Sequence, residues 1–76
     1  MPRLSATDWK IQAKIFENFG CTLVRQHGSH LVYEYPHARR PVVILKYDEV
    51  PVTIIRANMS TVGMTREQYF ELLKPL

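Results

Sequence analysis

The sequence has few of the features that mark secreted or membrane proteins. It contains one cysteine, Cys21, so no disulfide can form within the chain and nothing requires an oxidising compartment. The N-terminal segment lacks the apolar run of a signal peptide, and no stretch approaches the roughly 18 apolar residues of a membrane span. We therefore expect a cytoplasmic protein that does not associate with membranes.

Acidic residues are outnumbered by basic ones, with 7 Asp and Glu against 10 Lys and Arg and a net charge of +3. This balance mildly favours a polyanionic partner such as nucleic acid. The prolines are dispersed, and no low-complexity stretch or linker interrupts the chain. At 76 residues, 46% of them hydrophobic, we expect one domain over residues 1–76, too small to enclose a large cofactor.

Helical periodicity is found towards both ends of the chain. Near the N-terminus, Ser5 followed by Asp8 suits a capping box, and apolar residues then recur with a helical period until Gly20, where the helix is expected to end. Towards the C-terminus, a second apolar stripe is followed by Thr65 and Gln68. These two form a capping box that predicts a short additional helix.

The middle of the chain is rich in β-branched and aromatic residues and predicts three strands. Their expected ranges are 22–26, 31–35 and 42–46. Together with the helices they predict an α+β fold in the order αβββα, with a three-stranded antiparallel sheet packed on helices. This is the order of double-stranded-RNA-binding domains, a comparison that concerns fold and implies no activity.

Gly28 and Ser29 suit the two-residue loop of a type II′ hairpin, which sets the register of the first two strands. The predicted cross-strand pairs are His27 with His30, Arg25 with Val32, and Leu23 with Glu34. The opposite face is more apolar, so we expect it to pack on the helices while the histidine face meets solvent. The residues predicted on that core face are Val24, Leu31, Tyr33 and Tyr35.

The hairpin segment Arg25-Gln26-His27-Gly28-Ser29-His30 resembles that of the HicA toxins, in which Arg-Gln-x-Gly-Ser-His leads into a strand. The similarity continues through Pro41-Val42-Val43-Ile44 and the final Thr-Arg-Glu-Gln-Tyr-Phe-x-x-Leu-Leu, and so covers nearly the whole chain. One departure is Leu45, which stands where many members have proline. It leaves open the shape of that strand end and the role of Lys46.

The resemblance implies the toxin of a type II toxin–antitoxin system. Such toxins are similar to one another in cleaving messenger RNA without the ribosome, which inhibits translation as part of a stress response. The resemblance further implies a HicB-like antitoxin that covers the active surface, no cofactor, and His30 as the catalytic residue.

The chemistry of RNA agrees with a role for His30. The 2′-hydroxyl of RNA can attack the adjacent phosphate if one group removes its proton and another protonates the leaving 5′-oxygen. Imidazole exchanges protons near neutral pH, so no metal is needed for this step. His27, paired with His30 across the hairpin, is a possible second acid or base.

Several residues near the hairpin are candidates to bind the phosphate. Glycine allows close backbone approach, and the amides of a turn can bind an anion. Basic side chains add charge-assisted hydrogen bonds. The candidates for RNA binding are Gly28 and Ser29 in the turn, with Arg25, Arg39, Arg40 and Lys46.

Two other functions fit the same residues. A non-catalytic RNA-binding module would bind RNA without cleaving it, and a protein-interaction module would use the basic loop against an acidic partner. A zinc site built from Cys21 and the three histidines is disfavoured, because no pair of ligand motifs with zinc spacing is present. We therefore expect no bound metal.

Overall fold

The computed structural model describes residues 3–76. Met1 and Pro2, which begin the segment used to argue against a signal peptide, lie outside the described residues. The elements are α1 (Trp9–Phe19), β1 (Thr22–His27), β2 (His30–Glu34), β3 (Val42–Leu45), α2 (Val52–Val62) and α3 (Arg66–Leu73). The predicted α+β fold and element order are confirmed, and α3 is the additional C-terminal helix. None of the helices described is long and apolar enough to cross a membrane.

The start of α1 differs from the prediction. Asp8, not Ser5, caps the helix, because its carboxylate accepts a hydrogen bond of 2.7 Å from the backbone N–H of Lys10. Thr7 pairs with Val50 in an isolated antiparallel bridge, which holds the chain extended just before the helix. An earlier helical turn would break that pairing.

The ends of the helices otherwise follow the sequence signals. Gly20 ends α1 with a φ of 122°, a backbone conformation that side chains with a Cβ rarely adopt. The capping box of α3 is confirmed: the Thr65 hydroxyl accepts from the Gln68 N–H at 3.1 Å, and the Gln68 side chain accepts from the Thr65 N–H at 2.8 Å.

The three strands form an antiparallel sheet in the order β1-β2-β3. The predicted pairs His27 with His30 and Arg25 with Val32 are confirmed. Gly28 has a φ of 55°, and no other residue of the hairpin has a positive φ. This combination identifies a type II′ turn, whose twist matches that of the two strands.

The far end of β1 does not follow the predicted register. Leu23 pairs with Tyr33 and not with Glu34, because the register shifts between Leu23 and Arg25. The shift is a β-bulge at Val24, whose extra residue bends the strand. Val24, predicted on the core face, is therefore 46% exposed.

The core lies between the inner face of the sheet and the helices. Leu31 and Tyr33 are buried as predicted, and Tyr35 is partly buried against Phe19, with ring centroids 5.2 Å apart. The Tyr33 hydroxyl donates a hydrogen bond of 2.7 Å to Glu17. All six residues of β1 are exposed, so this edge strand contributes no buried side chain to the core.

Candidate functional site

His30 is the first residue of β2 and pairs with His27 across the end of the hairpin. On its other side it pairs with Leu45, so it lies in the central strand between two partners. In a hydrogen-bonded antiparallel pair the Cα atoms are about 5.5 Å apart, which brings the two imidazoles close together. Both histidines are exposed, so both can reach a bound molecule.

The turn beside His30 presents free backbone amides. Its carbonyl oxygens are occupied: Gln26 donates to the Gly28 oxygen at 3.3 Å, and the Lys46 N–H donates to the Ser29 oxygen at 2.9 Å. The N–H groups of Gly28 and Ser29 have no acceptor among residues 3–76. Two adjacent, exposed amides of this kind are suited to an anion such as a phosphate.

Lys46 lies at the same end of the sheet. Its backbone is bonded to the turn at Ser29, and its ammonium nitrogen lies 5.2 Å from the centroid of the Trp9 ring, within the range of a cation–π contact. The Trp9 N–H in turn donates to the Tyr47 carbonyl at 3.1 Å. The backbone of Lys46 therefore lies at the hairpin end, and its ammonium group lies against the start of α1.

Trp9 was not among the predicted site residues. It lies 37 positions before Lys46 in the sequence. In the sequence alone, a tryptophan at the start of an amphipathic helix is explained by packing against the core. Only the fold brings the two together, so no local signal in the sequence could have identified this contact.

The three arginines predicted to bind phosphate meet elsewhere on the outer face. They line a groove of about 760 Å³ between the hairpin and the loop of residues 36–41, which we call the arginine groove. The Arg39 and Arg40 side chains also border a second depression on the other side of this loop, against α2. The arginine groove is lined by Thr22, Val24, Arg25, Val32, Glu34, Tyr35, Pro36, Ala38, Arg39, Arg40 and Pro41.

The predicted site residues thus form two groups. The first, which we call the hairpin end, holds His27, Gly28, Ser29, His30 and Lys46. The second is the arginine groove. His30 does not line this groove, but it precedes Val32 by two residues in β2 and so shares its face.

The other residues that were considered as zinc ligands, Cys21 and His37, have structural environments that account for them. Cys21 is 6% exposed, and burial raises the pKa of its thiol, which keeps it protonated and unreactive at neutral pH. His37 lies in the loop and turns its ring edge towards Tyr35 at 5.4 Å. Within residues 3–76, no three His, Cys, Asp or Glu side chains lie close enough together to hold a metal ion.

The hairpin end combines the groups that a phosphoryl transfer needs. It has an exposed imidazole that can move a proton, two free amides that can bind phosphate oxygens, and an ammonium group that can offset negative charge. Because these groups are on a surface and not in a closed pocket, they suit a long polymer and not a small molecule.

Comparison with known proteins identifies the family. No curated protein and no solved structure matches this chain significantly. The family model described as the HicA toxin of bacterial toxin–antitoxin systems matches residues 9–64 of the 76-residue chain, from Trp9 at the start of α1 to Met64 just after α2. The match includes the hairpin end and the arginine groove, and the chain belongs to the HicA family of toxins.

Proposed function

We propose that this toxin is a metal-independent endoribonuclease that cleaves messenger RNA and thereby inhibits translation. The observation that carries the proposal is the hairpin end, where the exposed His30 directly follows two free turn amides and the backbone of Lys46 is bonded to the same turn. A domain that only bound RNA would not require a proton-transfer group at the centre of its phosphate contacts.

The proposed reaction is an internal transfer of the phosphoryl group. The 2′-oxygen of one ribose forms a bond to the adjacent phosphorus, and the bond from phosphorus to the 5′-oxygen of the next nucleotide breaks. His30 either takes the 2′ proton or donates a proton to the leaving oxygen, and its pair His27 is the candidate for the other transfer. The products are a 2′,3′-cyclic phosphate and a 5′-hydroxyl.

Negative charge increases on the phosphate during this transfer. In the proposal, the amides of Gly28 and Ser29 bind its oxygens, and Lys46 supplies a positive charge that Trp9 keeps in place. Arg25, Arg39 and Arg40 lie farther along the same face, where they can contact other phosphates of the strand.

The antitoxin in the proposal is a HicB-type protein that covers the same outer face. This placement is supported by the unpaired edge of β1, along which Leu23 and Val24 are each 46% exposed. A partner bound there would exclude RNA from the hairpin end. Inhibition would then require no change in the shape of the toxin.

The proposal is tested by incubating the purified chain with a synthetic RNA in the presence of a chelator, and with DNA of the same sequence. We expect the RNA alone to be cut, with a cyclic phosphate and a 5′-hydroxyl detected by mass spectrometry. Cleavage of the DNA, or loss of activity in the chelator, would contradict the mechanism. Binding of RNA without cleavage would favour the non-catalytic RNA-binding module.

Replacing Lys46 by alanine is expected to lower kcat/KM by roughly tenfold, because a charge-assisted contact with the phosphate is lost. The salt dependence of RNA binding should also weaken by about 0.7 in its logarithmic slope, the value for one phosphate contact to a single strand. Both quantities follow from cleavage and binding assays over a range of salt concentrations.

The matched control for Lys46 is Lys14→Ala, which removes the same charge from an exposed position on α1. We expect Lys14→Ala to change neither quantity and Lys46→Arg to restore most of the activity. Equal effects from the two alanine variants would show that Lys46 contributes only to the overall charge.

A further inference from the structure

The arginine groove lies on the outer face of the sheet, separate from the main hydrophobic core. Val32, in its floor, is only 8% exposed although it points away from the main core and is not part of it. Val32 lines the groove together with the bulged Val24 and with residues of the loop 36–41. The bulge and the loop together therefore build a preformed groove on the outer face.

The charge in the groove is predominantly positive. Arg25, Arg39 and Arg40 line it against a single acidic residue, Glu34. Within residues 3–76, none of the three guanidinium groups is held in an ion pair. These guanidinium groups are therefore available to a negatively charged ligand.

The lining combines these cations with apolar and aromatic surface. Val24, Val32 and Tyr35 line the groove together with two prolines. Unpaired bases stack on apolar, aromatic and guanidinium surfaces while their phosphates bind arginine. A duplex keeps its base faces inside the helix and could offer this lining only its backbone. The chemistry therefore fits a single strand better than a duplex.

The groove also lies close to the hairpin end. Val32 follows His30 by two residues on the same face of β2, which is about 7 Å along the strand. Arg25, opposite Val32, lies at the same level. A strand with a phosphate at His30 would thus enter the groove within the next few nucleotides on one side, whereas on the other side of His30 the sheet ends at the turn of the hairpin.

We infer that the arginine groove binds unpaired nucleotides on one side of the phosphate that is cleaved at His30. The substrate is then single-stranded RNA that extends past the cleavage site in that one direction. This inference rests on the proposed function, and it adds to it a second binding site and a requirement for substrate length.

The test uses DNA oligonucleotides that contain a single ribonucleotide, so that only one bond can be cut by attack of a 2′-hydroxyl. One series is lengthened on the 5′ side of that bond and a second series on the 3′ side. We expect KM to fall on the order of tenfold as one side grows to about four nucleotides, and to change little on the other. A complementary strand paired to the extension should remove the gain.

The double variant Arg39→Gln/Arg40→Gln should bind the longer substrate no better than the short one. Arg56→Gln is the control, since Arg56 is an exposed arginine of α2 outside the groove and its loss removes the same type of charge. An equal gain on both sides, or a gain that persists in the double variant, would overturn the inference.

A binding measurement separates this inference from the proposed function. The affinity of the His30→Ala protein for the same oligonucleotides does not depend on cleavage and should show the same one-sided gain. If the wild type cuts none of the substrates but binds the longer ones with this asymmetry, the proposed reaction fails and the groove stands. If the wild type cuts them but neither KM nor affinity is asymmetric, the groove fails alone.

Discussion

The His30→Ala variant is expected to cleave RNA about 10²–10⁴-fold more slowly than the wild type, the contribution typical of a positioned acid or base. His30 is exposed at the first position of β2, and its side chain contributes nothing to the core, so the variant should fold normally. Induced in a bacterial host without antitoxin, the wild type should stop growth and deplete messenger RNA. The variant should do neither.

The control for His30 is His37→Ala, which also removes an exposed imidazole, but from the loop of residues 36–41 and not from the hairpin end. It should remain toxic. Growth arrest by His30→Ala as well would mean that this histidine is not the catalyst. His27→Ala then becomes the informative variant, because its imidazole is paired with that of His30.

Local signals in the sequence were sufficient to predict the end of the hairpin. Gly28 followed by Ser29 in a two-residue loop favours a type II′ turn, in which only the first position has a positive φ, and a two-residue loop determines the pairing of His27 with His30. Since the side chains of a strand alternate, the faces of Leu31 and Tyr33 followed from the same turn. Each of these steps depends on residues within a few positions of one another.

The features that the sequence did not reveal depend on contacts between distant segments. The bulge at Val24 has no glycine or proline to mark it, so simple alternation placed this residue in the core. The N-cap of α1 is Asp8 and not the predicted Ser5, because Thr7 pairs with Val50, which is far along the chain. The arginine groove needs both the bulge and the loop, and neither alone predicts it.

The Phe16→Ala variant is expected to have the largest effect on stability. Phe16 is completely buried in α1, and removing its ring leaves a cavity that costs about 3–5 kcal/mol. A domain of this length has a total free energy of unfolding of about 4–11 kcal/mol, so the loss is a large fraction of it. Urea denaturation should show a lower midpoint, and the melting temperature should fall by at least about 12 °C.

The control for Phe16→Ala is Lys14→Ala on the exposed side of the same helix, whose free energy of unfolding should stay within about 0.5 kcal/mol of the wild type.

A ligand that binds only the folded state restores stability, so saturating antitoxin should raise the melting temperature of Phe16→Ala towards that of the wild type. The two losses of activity then differ in kind. Phe16→Ala should lose cleavage in proportion to its unfolded fraction, whereas His30→Ala should lose it while fully folded. If Phe16→Ala were as stable as the wild type, the packing of α1 on the sheet described above would be wrong.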